Sequence, residues 1–235
     1  MSLVVLYEDN HCLAVAKPAG LLTQGVPAGI PTLEAEARSY LKTKYHKEGN
    51  VYLGIPHRLD RPVSGVVLFA RSSKAAARLA EQFRDRTVSK VYVGLVEYSG
   101  TPPAMEGQWA DHLRKIQSES RTEVVAAEHP EGKVSALHFR RMSSDERFAL
   151  LRLEPLTGRM HQIRVQAASR GWPIAGDIQY GAVTPFGPPV ELSRDRIIAL
   201  HGWQLTFRHP IRYEPVTIQA PLPSIWGDWS KVPLE

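Results

Sequence analysis

The apolar positions of the chain fall into short segments that have the spacing of β-strands. Some segments are continuous apolar runs and others alternate apolar with polar residues, and both patterns are typical of strands. Ser143, Ser144 and Asp145 form a turn signal between two of them, which predicts an antiparallel hairpin. The predicted strands cover residues 13–16, 66–70, 90–97, 134–140, 148–154, 197–201, 204–208 and 216–220.

Other segments carry apolar residues at helical spacing, and each follows a side chain that can cap a helix. The expected caps are Thr32, Ser72 or Ser73, and Thr157. Gly49 is expected to stop the first helix, and the helix after Thr157 is expected to cover residues 158–170 and to end at Gly171. Strands before and after isolated helices predict an α+β fold, with a mixed, largely antiparallel central sheet flanked by helices and loops.

The segment 100–132 is rich in proline, glycine and charged residues, which favours loops over the surface. No low-complexity linker interrupts the chain, so we expect a single domain over residues 1–235. With 43% hydrophobic and 23% charged residues, a chain of this length can bury a sizeable core. No apolar stretch approaches the roughly 20 residues that span a bilayer, so we expect no membrane partner and a cytoplasmic location.

Charge and cysteine content narrow the function only a little. The formal net charge is +5, which suits a polyanionic partner, although solvated basic faces explain it equally well. Cys12 is the only cysteine, which excludes an internal disulfide and a cysteine-based zinc site. We interpret it as a small buried residue near a strand.

The usual signatures of several enzyme classes are missing from the sequence. It contains no GxxxxGK phosphate loop, no GxGxxG after a strand, no GxSxG elbow and no HExxH. His57 and Asp60 have a spacing that could ligate a metal, but no third ligand follows at a recognisable distance, so we expect no metal site. Chemistry without a cofactor on a polyanion remains the favoured class.

One short segment combines charge and backbone stiffness in an unusual way. Asp60 stands between Arg58 and Arg61, with Pro56 and Pro62 restricting the backbone on either side. Two flanking guanidinium groups favour the negatively charged carboxylate, and a stiff loop would aim it. This arrangement describes a candidate nucleophile and equally a structural ion pair.

The same segment, HRLDRPVSGVVLFARS, resembles the HRLD motif of the RluA-like pseudouridine synthases. Further stretches resemble other motifs of that family in the same order, so the resemblance covers about residues 4–223. They are KPAGL at 17–21, KVYVGLV at 90–96, the segment LTGRMHQIRVQAASRGWPIAGDIQYG at 156–181, LHGWQLTFRHP from residue 200 and APLP from residue 220.

The resemblance implies an RNA pseudouridine synthase that isomerises uridine in ribosomal or transfer RNA without a cofactor. Asp60 takes the position of the catalytic aspartate, Arg164 the position of the arginine that pairs with it, and Tyr92 that of the active-site tyrosine. A phenol is a weak base at neutral pH, so we expect Tyr92 to act mainly by packing under the uracil. The target uridine must leave the RNA stack, and Arg58 is expected to occupy its place.

The basic residues of the motifs would bind RNA, and the expected set is Arg58, Arg61 and Arg159. We expect a monomer whose catalytic domain recognises RNA by its own surface, because no small basic RNA-binding module precedes the motifs. Val63 stands where the family usually has threonine, which removes a hydroxyl but not the nucleophile. Gly202 also departs from the usual residue, and we infer no chemical role for it.

Two other functions remain compatible with the residues. A nucleoside or glycoside hydrolase could use Asp60 on a sugar carbon, with Glu97 or Asp177 as the second carboxylate that such enzymes usually need. A catalytically silent RNA-binding protein could have kept the same fold.

Overall fold

The computed structural model describes residues 3–25 and 29–234. Short 3-10 turns lie at Gln117–Glu119, Ile178–Tyr180, Ser193–Asp195 and Ser224–Lys231. The strands and α-helices are β1 (Val4–Glu8), β2 (Cys12–Lys17), α1 (Leu33–Lys44), β3 (Ser64–Ala70), α2 (Ser73–Arg84), β4 (Ser89–Glu97), β5 (Glu106–Ile116), β6 (Arg121–Val125), β7 (Lys133–Ser144), β8 (Phe148–Pro155), α3 (Gln162–Ala168), β9 (Leu200–Arg208) and β10 (Pro215–Gln219).

The predicted α+β class with largely antiparallel strands is confirmed. The chain divides into two compact units, and the prediction of a single catalytic domain stays a prediction. The first unit contains the residues up to Lys90 together with Gly202–Pro221. The second contains Val91–His201 and the residues from Leu222 onward. None of the helices in the described ranges is long and apolar enough to cross a membrane.

In the first unit, the strands follow the order β1, β2, β3, β9 and β10. Its core packs α2 against β3 and the two C-terminal strands, with Leu68, Leu79 and Phe207 fully or almost fully buried. Two of the three predicted caps are confirmed, since Thr32 accepts a hydrogen bond from Ala35 N at 3.1 Å and Ser72 accepts one from Ala75 N at 3.2 Å. Helix α1 ends at Lys44, earlier than the predicted stop, and β1 is a strand that the pattern did not predict.

A close approach of two backbones explains one of the glycines. Gly65 lies in β3 with a φ of +132°, and a Cβ added to it would meet the backbone of Gly202 at 2.4 to 2.6 Å. Gly202, for which the motifs imply no chemical role, is therefore part of the packing directly after the Asp60 loop. The predicted strands at 197–201 and 204–208 were wrong in their division, because β9 runs through Gly202 without a break.

In the second unit, the strands follow the order β4, β8, β7, β5 and β6. The predicted hairpin is confirmed, because β7 pairs antiparallel with β8 across the turn after Ser144. The prediction of surface loops over 100–132 was wrong, since about half of that segment forms β5 and β6. One face of these strands is exposed to solvent. In β5, Trp109 and Leu113 are buried and most of the other residues are polar or charged. A segment of this composition resembles a surface loop in the sequence.

The predicted helix over 158–170 was wrong in its extent and in its cap. Helix α3 is shorter, and it starts after His161, whose φ of +52° is left-handed. The Thr157 hydroxyl does not cap the helix, because it accepts a hydrogen bond from Ala136 N at 3.0 Å and donates one to Gln162 Oε1 at 2.7 Å. The Thr157 hydroxyl thus bonds the β7 backbone instead of capping the helix as the local pattern predicts.

Candidate active site

A buried lysine, Lys17, holds the loop that carries Asp60. Lys17 Nζ, at the end of β2, donates hydrogen bonds to the carbonyl oxygens of Leu21 at 2.7 Å, Pro18 at 2.9 Å and Arg61 at 3.2 Å. The side chain is only 1% exposed. Burial lowers the pKa of Lys17 to about 7, and the nearby Asp60 carboxylate opposes that shift. Lys17 therefore ties the KPAGL turn to the residue directly after Asp60.

The residue directly before Asp60 is fixed by a hydroxyl. The buried Thr23 Oγ1 donates to the carbonyl oxygen of Leu59 at 2.9 Å and lies 3.3 Å from the Leu59 amide nitrogen, which donates to it. On the other side, Arg61 Nε donates to the carbonyl oxygen of Gly20 at 2.9 Å. The backbone on both sides of the half-buried Asp60 is thus held by polar contacts from the 17–23 segment.

His57 has a structural task in the same motif. Its Nε2 accepts a hydrogen bond from Leu68 N at 2.9 Å, and its ring stacks on Phe83 with the centroids 4.6 Å apart. Burial lowers the pKa of His57 to about 3, and the positive charge of Lys90 adds to that shift. The ring is therefore neutral, and its Nε2 lone pair is already used by a β3 amide rather than offered to a metal.

In the second unit, Arg164 is held by side chains. The guanidinium is 4% exposed, and it donates from Nε to Asp177 Oδ2 at 2.6 Å and from Nη2 to Asp177 Oδ1 at 2.8 Å. Gln179 Oε1 accepts a further bond from Nη2 at 3.0 Å. Because Asp177 is itself only 1% exposed, this is a fully buried, bidentate ion pair.

An aromatic ring also contacts Arg164. Its Cζ lies 4.9 Å from the centroid of the Tyr180 ring, a cation–π contact. The Tyr180 hydroxyl accepts a hydrogen bond from Thr122 N at 2.9 Å and lies 2.9 Å from His161 Nδ1. Burial raises the pKa of Tyr180, so its hydroxyl stays protonated near neutral pH.

Asp177, Gln179 and Tyr180 are the site residues that sequence reasoning missed. Asp177 was considered only as a second carboxylate for a hydrolase, and Tyr180 received no role. The signal was present, because all three lie in the GDIQYG segment that ends the motif containing Arg164. A spacing of 13 residues between Arg164 and Asp177 follows no regular period, so only the fold shows the pair.

The predicted site residues are distributed between the two units. Arg58, Asp60 and Arg61 lie on one loop of the first unit, where Arg58 is exposed. In the second unit, Tyr92 is half-buried on β4 opposite Leu153. The predicted pairing of Arg164 with Asp60 stays a prediction.

Arg159 lies just before α3 in the second unit. Its backbone nitrogen donates to Gln162 Oε1 at 3.1 Å, and its Nε donates to the carbonyl oxygen of Val134 at 3.3 Å. The side chain is half-buried, so part of the guanidinium reaches solvent. Its predicted RNA contact stays a prediction.

Both carboxylates that could have served a hydrolase are committed to other contacts. Asp177 is paired with Arg164, and the buried Glu97 accepts hydrogen bonds from the backbone nitrogens of Val183 and, at 2.9 Å, Thr184. The geometry therefore does not favour glycoside or nucleoside hydrolysis.

One cluster among the described residues has the composition of a metal site, and it contains Asp9, Cys12 and His209. The ligand atoms of Asp9 and His209 are already engaged in hydrogen bonds. His209 Nδ1 accepts from the Arg212 backbone nitrogen at 2.9 Å, and its Nε2 contacts Asp9 Oδ2 at 2.8 Å. Burial raises the pKa of the Cys12 thiol to about 12, so no thiolate is available near neutral pH. These residues form a hydrogen-bond network that joins β2 to the C-terminal hairpin.

Comparison with known proteins agrees with this arrangement. Residues 11–169 match the family model described as RNA pseudouridylate synthase. Ribosomal large subunit pseudouridine synthase C of Vibrio parahaemolyticus is 32% identical over 94% of this chain, and the protein of that name from Escherichia coli (strain K12) is 35% identical over 93%. The chain spans 66% of the length of each of these relatives.

Solved structures show the same fold. Human RNA Pseudouridylate Synthase Domain Containing 4 superposes with a TM-score of 0.74 at 23% identity, and the match covers 94% of this chain and 88% of the human one. Human RNA Pseudouridylate Synthase Domain Containing 1 gives a TM-score of 0.69 at 23% identity, covering 95% and 86% respectively. The match of the family model over residues 11–169, which include Asp60 and Arg164, shows that the chain belongs to the RNA pseudouridylate synthase family.

Proposed function

We propose that this protein is an RNA pseudouridine synthase that isomerises uridine in ribosomal RNA, with Asp60 as the nucleophile. The observation that carries the proposal is the fixed presentation of Asp60, whose neighbours on both sides are bound by Lys17 and Thr23. Family membership supports the reaction class, and the names of the bacterial relatives favour ribosomal RNA over transfer RNA. Ribosomal RNA is a cytoplasmic substrate in bacteria, which fits the expected location.

The reaction needs positioning and one reactive group rather than a redox or group-transfer cofactor. The bond from uracil N1 to ribose C1′ breaks, a bond from uracil C5 to C1′ forms, the C5 proton leaves and N1 gains a proton. Asp60 attacks either C1′ or the uracil ring, or assists through a deprotonated sugar intermediate. Each route requires a carboxylate that is ionised and held in one direction.

Arg164 supplies the positive charge of the proposed site. In this proposal, Arg164 pairs with Asp60 and fixes the direction of its carboxylate by charge-assisted hydrogen bonds. The Nε and Nη2 edge of Arg164 is bound by Asp177 and Gln179, so these residues set the orientation in which Arg164 is presented. Tyr92 packs under the uracil ring in this proposal.

RNA binding involves extrusion of the target nucleotide, which requires breaking its stacking at a cost of a few kcal/mol. Arg58 is exposed beside Asp60, and it takes the place of the extruded base. Arg159 and Arg61 contact the RNA backbone in this proposal, and Arg61 Nε also donates a hydrogen bond to the carbonyl oxygen of Gly20. The protein acts as a monomer.

Tritium release tests the activity directly. Ribosomal RNA labelled with tritium at uridine C5 is incubated with the parent protein, with Asp60→Asn and with a control, Asp228→Asn, at an exposed carboxylate far along the chain. The parent and the control release tritium, and Asp60→Asn is slower by about 10³-fold or more. Chemical sequencing of the product then maps the modified uridine.

The other outcomes contradict the proposal in different ways. Release of free uracil would identify a hydrolase. An inactive parent that binds RNA as well as Asp60→Asn does would identify a catalytically silent RNA-binding protein. Full activity of Asp60→Asn would remove Asp60 from the chemistry while leaving the reaction class intact.

A further inference from the structure

The Tyr180 ring contacts Arg164 from a buried position in the second unit. It packs against Leu113 of β5 and Val165 of α3, and the guanidinium carbon of Arg164 lies 4.9 Å from its centroid. Tyr180 N donates to Asp177 O at 3.0 Å, and the Asp177 side chain forms the bidentate ion pair with Arg164. One short turn of the chain therefore supplies both an acid and an aromatic ring to the same arginine.

Two hydrogen bonds fix the Tyr180 hydroxyl. The backbone nitrogen of Thr122 in β6 donates to the hydroxyl oxygen at 2.9 Å. The hydroxyl keeps its own proton near neutral pH, because burial raises the pKa of Tyr180. Within residues 3–25 and 29–234, the only acceptor that forms a hydrogen bond with the hydroxyl is His161 Nδ1, at 2.9 Å. The hydroxyl therefore accepts from Thr122 and donates to His161.

This donation determines the tautomer of His161. A neutral imidazole has one N–H group and one acceptor nitrogen, so Nδ1 as the acceptor places the ring proton on Nε2. The two rings meet edge to face, with their centroids 5.7 Å apart and an angle of 89° between their planes. The His161 carbonyl oxygen accepts a hydrogen bond from Val165 N at 3.0 Å, which fixes the main chain where α3 begins. His161 is thus a well-placed acceptor for the Tyr180 hydroxyl.

Arg170, just after α3, provides a comparison within the same unit. It donates to Asp111 Oδ2 at 2.9 Å and to Asp111 Oδ1 at 3.2 Å, and its Cζ lies 5.2 Å from the centroid of the Trp109 ring. Arg170 therefore has a bidentate acid and an aromatic ring, as Arg164 does, but its side chain is 24% exposed. In the part of the chain that the structure describes, the Trp109 indole nitrogen forms no hydrogen bond. The feature specific to Arg164 is an aromatic partner that is itself held at its polar end.

The ring and the acid restrict Arg164 in different ways. Asp177 and Gln179 bind the Nε and Nη2 edge of the guanidinium. A planar group that is bound along one edge can still tilt about that edge, and a ring packed against its central carbon limits the tilt. The position of the ring in turn depends on its hydroxyl, which is held between β6 and the start of α3.

We propose that Tyr180 and His161 are positioning residues that keep Arg164 in one orientation for the reaction. The hydrogen bonds of the Tyr180 hydroxyl hold its ring against the guanidinium, so both residues act through Arg164 and neither contacts the reacting atoms. The role rests on the proposed function, in which Arg164 pairs with Asp60. The hydrogen-bond network itself does not depend on that function.

Steady-state kinetics of tritium release from labelled ribosomal RNA test the role. Tyr180→Phe keeps the ring and removes the hydroxyl, and His161→Gly removes the acceptor. His161→Asn returns an acceptor oxygen near the place of Nδ1, and both glycine and asparagine tolerate the left-handed backbone at this position. We expect kcat to fall about ten-fold in Tyr180→Phe and His161→Gly, with KM within about two-fold of the parent, and to recover largely in His161→Asn.

The matched control is Tyr98→Phe, which removes a hydroxyl that donates to the Asp145 carbonyl oxygen elsewhere in the second unit. It should keep the parental kcat and KM. Thermal melting of every variant separates positioning from packing. A lower melting temperature with parental kcat in Tyr180→Phe and His161→Gly would overturn the positioning role, because packing alone would then explain the contacts. An equal loss of kcat in His161→Asn and His161→Gly would overturn it as well, since the acceptor would then have no part in the effect.

Nitrogen NMR of the histidine rings tests the network without turnover. The His161 signals are identified by their absence in His161→Asn, and they should show the proton on Nε2 and a hydrogen-bonded acceptor at Nδ1. In Tyr180→Phe, the Nδ1 signal should move toward that of an acceptor without a hydrogen bond. A proton on Nδ1 in the parent would overturn the network. The expected signals in an inactive parent would confirm the network but overturn the proposed function and, with it, the positioning role.

Discussion

The two candidate groups of opposite charge are held in place by different means. In the first unit, the contacts that position Asp60 are made to the main chain of its neighbours, by Lys17 on the Arg61 carbonyl and by Thr23 on Leu59. In the second unit, the contacts that position Arg164 are made to its own side chain, by Asp177 and Gln179.

The difference has a consequence for how each group tolerates change. When the Asp60 side chain is changed, the hydrogen bonds of Lys17 and Thr23 to the main chain on either side of it are still present. The buried Arg164 guanidinium is held by the buried Asp177, and loss of that acid removes the bidentate partner of a buried charge. Substitutions around Arg164 are therefore expected to have larger effects than substitutions around Asp60.

The largest effect is expected for Asp177→Asn. The asparagine amide places an N–H group against the donors of Arg164, and breaking a buried pair of this kind costs about 3 to 5 kcal/mol. Urea unfolding measures the stability, and tritium release measures kcat and KM. Because Asp177 orients Arg164, we expect kcat to fall by a larger factor than that by which KM changes. Asp177→Glu should recover part of the lost kcat. Gln179→Leu, which removes only the neutral acceptor, serves as the matched control. A stability equal to that of the parent would show that the ion pair is not what holds Arg164.

A smaller but pH-dependent effect is expected for Lys17→Met. Loss of the ammonium leaves buried carbonyl oxygens without donors, at about 2 to 4 kcal/mol in total. The pKa of Lys17 is lowered to about 7 in the folded protein and is about 10.4 in the unfolded chain. The unfolded state thus binds more protons between these values, so the contribution of Lys17 to stability rises with pH through that interval.

Urea unfolding of the parent and Lys17→Met at several pH values between about 6 and 9 checks this prediction. The stability difference between the two proteins should grow as the pH rises above about 7, because only the parent gains from the change in protonation. Lys47→Met, at an exposed lysine after α1, is the control and should follow the parent at every pH. A difference that is constant with pH would contradict the predicted coupling.

The smallest effect is expected for Thr23→Val. Valine has the shape of threonine but cannot bond the amide and carbonyl of Leu59, which costs about 1 to 3 kcal/mol. Thr23→Ser keeps the hydroxyl and should lose less stability. Hydrogen exchange at the Leu59 amide should accelerate in Thr23→Val and remain slow in Thr23→Ser. Unchanged exchange in both variants would mean that Thr23 does not fix the residue before Asp60.

Local signals predicted many of the elements because their causes are local. Thr32 and Ser72 cap the helices that follow them, since a cap needs only the next three residues. Apolar and polar residues alternate along β7 and β8, and a turn signal lies between the two strands. The hairpin could therefore be predicted from the sequence. Thr157 has the same local pattern, but its hydroxyl accepts a hydrogen bond from Ala136 of β7 and does not cap a helix.

By itself, the sequence determined the motif around Asp60, the family that this motif resembles and the α+β class, because motif spacing and apolar periodicity are written along the chain. Only the tertiary structure decided the partners of the charged groups. Lys17 reaches the Arg61 carbonyl across 44 residues, and Asp177 reaches Arg164 across a turn and a helix end. The physical reason is that a buried charge must find its partner in space, and the chain places that partner at no fixed interval.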